Sequence, residues 1–293
     1  MGIVGPLAIL VVVVAAAVAL RRRGRALPAV TTDRLRLAAR TTRRWRVAGF
    51  LAGVIVAVVA AQQGALGRGL LLAVPLCALC ILAGVVMGEL QVSAPTGTVR
   101  SADLEVRRVR DYLPRRLAGA VAIATALLFV VLGLTTATGS ADDLGRAGRS
   151  FARQCSAVLS GSTGPWPGSF YALPLGAVVL SGLLLAAVAL GRVVQRPRQG
   201  EDPTVDDGLR RQATEAVTAA CGLLVAVPLA GVSLVTAGAL NNHVCPPAGA
   251  AVVVPALLVL VPLLVVLSAW CIGVLVAPAG SGRSQPAPAA TAR

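Results

Sequence analysis

The sequence predicts an all-α fold: a multi-pass helical integral membrane protein with seven transmembrane helices, its N-terminus outside and its C-terminus cytoplasmic. Three observations carry this prediction. Of 293 residues, 56% are hydrophobic and 13% charged, against about 25% charged in soluble domains. Apolar runs long enough for a helix to cross the hydrocarbon core, which takes about 20 residues, recur seven times. The basic residues between these runs fall almost wholly on alternate sides.

The runs lie near residues 3–20, 47–63, 69–88, 117–135, 171–191, 216–236 and 251–276. In lipid every backbone amide and carbonyl must be satisfied within the segment or in a closed barrel. The runs are continuous and lack two-residue alternation, so helices are expected rather than a barrel. Residues 1–278 then form one helical transmembrane domain. Residues 279–293, rich in Pro, Ala and Ser, form a disordered cytoplasmic tail.

The first run has two readings, an uncleaved anchor or a signal peptide. No positive charge precedes it, Arg21, Arg22 and Arg23 follow it, and the small-residue matches to a cleavage site sit inside the run itself. An anchor is therefore expected. All 27 basic residues are arginine. Of these, 23 lie before the second, fourth and sixth spans or in the tail, and only Arg68, Arg146, Arg149 and Arg153 lie on the other side. The positive-inside rule places the larger set in the cytoplasm.

The formal charge of +15 follows from this arrangement and from attraction to anionic inner-leaflet headgroups of the lipid bilayer. No nucleic-acid partner is expected, since the basic segments carry no aromatic platform beyond Trp45 and Tyr112. Leu35, Ala38, Ala39, Thr42 and Trp45 would share one helix face, as would Val106, Val109, Tyr112 and Leu113. Such segments would lie along the inner interface as separate amphipathic helices. With a fainter third copy from Pro203 to Gly222 they suggest a repeat, although the intervals differ and any basic loop entering a span takes this character.

Of six cysteines, Cys77, Cys80, Cys221 and Cys271 fall inside spans. Cys155 and Cys245 alone fall in outer loops, so they are the candidate disulfide, the alternative being two free thiols. Cys77 and Cys80 form a C-x-x-C, but no His, Asp or Glu lies at their depth. They read as small packing residues rather than metal ligands.

The absences narrow the chemistry. A chain without Lys has no Schiff-base lysine and no Walker lysine. A single histidine, His243, excludes a paired-histidine haem and an H-E-x-x-H site; in its loop it is expected to be exposed. The acidic residues lie in loops or at span ends, as Glu89 and Glu215 do, so none is available to relay protons at mid-membrane. No catalytic, cofactor-binding or metal-binding residues are therefore expected, and no enzyme.

Two features speak to packing. Gly49 and Gly53 in one span and Gly84 and Gly88 in the next are each four apart, a spacing that lets backbones approach closely. Pro75, Pro228 and Pro262 lie within spans and are candidate helix kinks or cavity-lining positions. Residues 136–170, rich in Gly, Ser and Pro, are expected to be irregular. The Ala, Val, Leu, Gly and Arg bias resembles translation of a GC-rich bacterial genome, which gives a bacterial plasma membrane as the location. The expected function is that of a non-catalytic membrane component or regulator, acting on a membrane or ATPase partner through helix packing and a basic cytoplasmic face. The alternative is a permease-like subunit for an apolar or neutral solute along a path lined by Pro228 and Pro262, with a separate ATPase.

Overall fold

A computed structural model describes residues 33–63, 65–91, 109–195 and 203–276. The apolar run near 3–20 and the tail at 279–293 lie outside the described residues. Helix α1 spans Asp33–Gln62, a tight turn at Ala65–Gly67 follows, and α2 spans Arg68–Leu90. The short α3 (Val109–Tyr112) leads into α4 (Arg115–Ala137), then strands β1 (Phe151–Gln154) and β2 (Ser160–Thr163). Helices α5 (Ser169–Gln195), α6 (Pro203–Asn241) and α7 (Ala250–Val276) complete the order. Among the described residues, six helices (α1, α2, α4, α5, α6 and α7) are long and apolar enough to cross a membrane.

The basic stretches expected as separate interfacial helices behave differently. Helix α1 runs unbroken for 30 residues and α6 for 39, so their arginine-bearing turns are extensions of the spans. Nothing in the sequence stops these helices, because Ala, Leu and Arg all propagate a helix well. Between α3 and α4 the chain does break, at Leu113 and Pro114. Pro114 holds an extended conformation as the N-cap of α4, and proline disfavours helical geometry in the residue before it.

Helix α6 is the axis of the bundle and packs against α2, α4, α5 and α7. Its buried Ala213, Ala216, Ala219, Ala220 and Ala226 let four neighbours approach closely, which matters where lipid removes the hydrophobic drive for helix association. Leu224 and Leu229 of α6 meet Leu82 and Val85 of α2, Leu128 of α4, and Leu175 and Val179 of α5 in one continuous apolar core. The outside is also apolar: Ile55, Ile123, Leu184 and Leu263 are each more than 60% exposed. That distribution suits hydrocarbon rather than water as the surrounding solvent.

Helix α1 stands at the edge and packs on α2. A Cβ added to Gly49 would lie 2.7 Å from the Cys80 carbonyl oxygen, and one added to Gly53 would lie 2.9 Å from that of Cys77. From the other side, a Cβ on Gly84 would lie 3.0 Å from the Gly49 Cα, and one on Gly88 would lie 3.2 Å from the Thr42 Cα. All four glycines thus sit where two backbones touch. At the end of this seam the Trp45 indole N–H donates to Gln91 Oε1 at 2.7 Å.

Alternating helix directions sort the connections to two ends. One end gathers Trp45, Gln91, α3, the last turn of α5 and the first turns of α6; it is the arginine end. The other gathers residues 65–67, 138–168 and 242–249, and there Tyr171 donates to the Leu66 carbonyl at 2.9 Å. The segment expected to be irregular holds a short antiparallel ladder, Phe151 opposite Thr163 through Gln154 opposite Ser160. Its turn is closed by the Cys155 amide donating to the Leu159 carbonyl at 2.8 Å, and the Ser156 hydroxyl accepts from the amides of Val158 and Leu159. These local bonds supply order that a Gly- and Ser-rich composition conceals.

Candidate functional site

At the arginine end, α4 and α7 both pack on α6 but have little contact with each other. Between them opens a cleft of about 540 Å³ lined by Arg110, Arg115, Arg116 and Arg211, by the carboxylates of Asp111 and Glu215, and by Tyr112 and Trp270. Leu117 and Val274 line it as well. Further along the bundle both helices come against Gly222 of α6, where an added Cβ would collide with Cys271 Sγ of α7 and lie 3.3 Å from Val121 Cγ2 of α4. The side chain absent from Gly222 is what allows the two flanking helices to converge on α6.

The cleft wall is held by a polar network. The Thr214 hydroxyl donates to the Tyr112 carbonyl at 2.8 Å, and the Tyr112 hydroxyl donates to Asp207 Oδ1 at 3.0 Å. Both bonds tie the α3–α4 corner to α6. Next to them the fully buried Arg210 donates from Nη1 to the carbonyls of Val193 and Val194, at 3.2 and 2.6 Å. These are among the last carbonyls of α5, which have no partner within their own helix and carry the negative end of its dipole. A guanidinium is the side chain best matched to them, with planar, fixed donors and a charge that persists on burial.

Sequence reading missed Arg210, counting it with the solvated loop arginines. A signal was present. Arg210, Ala213, Thr214 and Val217 follow the i, i+3, i+4, i+7 pattern of one helix face, and all four are buried. Arg211, one position on, is exposed and lines the cleft.

At the opposite end Cys155 and Cys245 form a disulfide with Cα atoms 5.9 Å apart, joining the hairpin to the α6–α7 connection. His243, expected to be exposed, is instead 4% exposed. It lies edge-on to Phe151, with ring centroids 5.2 Å apart, and beneath Gly161. Its Nδ1 accepts the Cys245 amide at 3.1 Å, so in the neutral ring the proton sits on Nε2. The disulfide draws this histidine in, since it is two residues from Cys245. Trp166 is buried against the same Phe151 ring, with centroids 4.7 Å apart, and donates to the Thr135 carbonyl at 2.8 Å. Arg68 and Arg149 both lie over the Phe170 ring, at 4.9 and 3.9 Å, a favourable cation–π arrangement.

The remaining sequence candidates are dispersed. Pro75 and Pro228 are buried inside α2 and α6, whereas Pro262 lies on the exposed face of α7. Cys77 and Cys80 are half-buried on α2, and Cys221 and Cys271 are buried. Among the described residues no group of three or more His, Cys, Asp or Glu could hold a metal ion.

Fold and packing together define a mostly helical, multi-pass membrane protein of the all-α class. Comparisons with family models, curated proteins and solved structures find no match for this chain. Its function is therefore argued from its own residues.

Proposed function

We propose that this chain is a non-catalytic component of a bacterial plasma membrane that holds or regulates a partner at its arginine end. In this reading the bundle has seven spans, including the run near 3–20, with the N-terminus outside and the arginine end in the cytoplasm. The observation that carries it is the contrast between the two parts of the bundle. The interior around α6 is filled by Ala, Val and Leu, which gives a stiff frame. The arginine end presents several exposed guanidiniums around a braced cleft, and so offers charge and shape together. A partner with an acidic surface, such as a cytoplasmic ATPase or a second membrane subunit, would be steered there by complementary charge.

A permease-like role is the second reading. It is favoured by the Ser233 and Thr236 hydroxyls, buried on α6 beyond Pro228 without a hydrogen-bond partner in the structure. Such groups are costly in an apolar core and would suit the wall of a path opened by a bend at Pro228.

A flux assay separates the two. Proteoliposomes holding the full chain are challenged with a panel of small neutral solutes, and uptake no faster than in protein-free vesicles is the expected result. Solute-specific uptake that is abolished by Ser233→Leu would replace the first reading with the second.

A further inference from the structure

We propose that the cleft between α4 and α7 is a binding site for one anionic phospholipid, with its phosphate held by Arg115, Arg116 and Arg211. The inference deepens the reading above and rests on the arginine end facing the inner leaflet, where anionic headgroups concentrate.

Charge is the first argument. Four arginines line the cleft against two carboxylates, Asp111 and Glu215. Arg110 already lies 3.9 Å from Asp111, with both side chains largely in solvent, so the other three are the phosphate ligands assigned here. Guanidinium forks match phosphate oxygens in geometry as well as in sign. Arg115 and Arg116 belong to the first turn of α4, and the positive end of that helix adds to the field.

Shape is the second. At about 540 Å³ the cleft falls within the usual range for small ligands, roughly 300–1,000 Å³. Further along the bundle α4 and α7 both come against α6 at Gly222, through Val121 and Cys271. The third argument is the polarity of its walls. Trp270 and Val274 of α7 and Leu117 of α4 make one side apolar. From Trp270 an exposed stripe continues along α7 through Val266, Leu263 and Val259, positions that share a helix face. A headgroup in the cleft could therefore lay its acyl chains on this stripe, with Trp270 at the headgroup level where indoles favour the interface. A soluble phosphate compound would gain nothing from that stripe. The site is also built beforehand, because Thr214 and Asp207 fix Tyr112 and with it the corner that carries the arginines.

The test uses the full chain in phosphatidylcholine nanodiscs containing a minor fraction of phosphatidylglycerol, with retained lipids counted by native mass spectrometry. One phosphatidylglycerol should be retained, with a preference over phosphatidylcholine of at least about tenfold. Arg116→Gln with Arg211→Gln should abolish that preference while leaving the circular-dichroism melting curve in place. Arg44→Gln, exposed on α1 away from the cleft, should leave it unchanged. Equal retention by the double variant, or equal loss in Arg44→Gln, would overturn the site in favour of a diffuse surface charge. Displacement of the lipid by millimolar inorganic phosphate would overturn it in favour of a soluble ligand. If labelling places residue 116 outside the cell while the lipid preference persists, the orientation fails and the site stands.

Discussion

Arg210 is the residue whose substitution should say most about the fold. Its charge is wholly enclosed, and its donors meet two carbonyls that α5 cannot satisfy by itself. Hydrogen bonds from charged donors contribute roughly 1.5–3 kcal/mol each. Arg210→Met fills similar space without a donor, so it should destabilise the protein by about 2–4 kcal/mol. Arg210→Lys keeps the charge but lacks the planar fork and should recover only part of that loss, read as the detergent-state melting temperature of the three proteins. Outside the membrane, Asp142 offers a smaller effect with a defined sign. Desolvation raises its carboxyl, but the amides of Arg146 and Leu144 and the Arg146 guanidinium outweigh this and hold it below its ordinary value. A carboxylate depressed in the folded state stabilises above its unfolded pKa, near 3.9, and that contribution fades as pH falls through the lower folded value. Asp142→Asn should therefore lower the melting temperature slightly at pH 7, with the difference from wild type narrowing as pH falls below about 3.9.

Among elements, the α1–α2 pair and the β-hairpin are held by different physics. The helix pair depends on the absence of side chains. In Gly84→Val the new Cβ would press on the Trp45 carbonyl and the Gly49 Cα, and backbone yields less readily than a flexible side chain. A loss of at least about 2 kcal/mol is expected, together with weaker protection of the Trp45 indole proton in hydrogen exchange. Gly176→Ala on α5 is the control, since an added Cβ there has nothing within 4 Å; it should be neutral or gain up to about 1 kcal/mol from helix propensity. The hairpin depends on a covalent tie across 90 residues. In the chain-entropy picture such a closure stabilises by about 4–5 kcal/mol. Cys155→Ser and Cys245→Ser should each show that loss, whereas reductant should shift the wild-type melting curve and leave those of the variants in place.

At the scale of the whole molecule, features set by the solvent or by a simple pattern of residue type were legible in the sequence, and the surroundings of single polar side chains were not. Hydropathy alone marks α2, α4, α5 and α7 to within a few residues, because a bilayer of fixed thickness dictates their length. The Cys155–Cys245 tie was readable because these two cysteines alone lie between spans, whereas the other four lie within them. The burial of Arg210 and of His243 was not, for the carbonyls of Val193 and Val194 and the ring of Phe151 are brought to them only by the assembled bundle. The cleft was hidden for the same reason, since Arg115, Arg211 and Trp270 belong to three separate helices. Helix packing fixes which loops share an end, but an apolar bundle fits a membrane equally well inverted, so the direction rests on arginine asymmetry. That asymmetry makes a direct prediction. In a variant with Cys77, Cys80, Cys155, Cys221, Cys245 and Cys271 replaced, a single cysteine at Asp143 should react with a membrane-impermeant maleimide on intact spheroplasts. A single cysteine at Arg116 should react only after lysis. The reverse pattern would turn the bundle over and carry the arginine cleft to the outer leaflet.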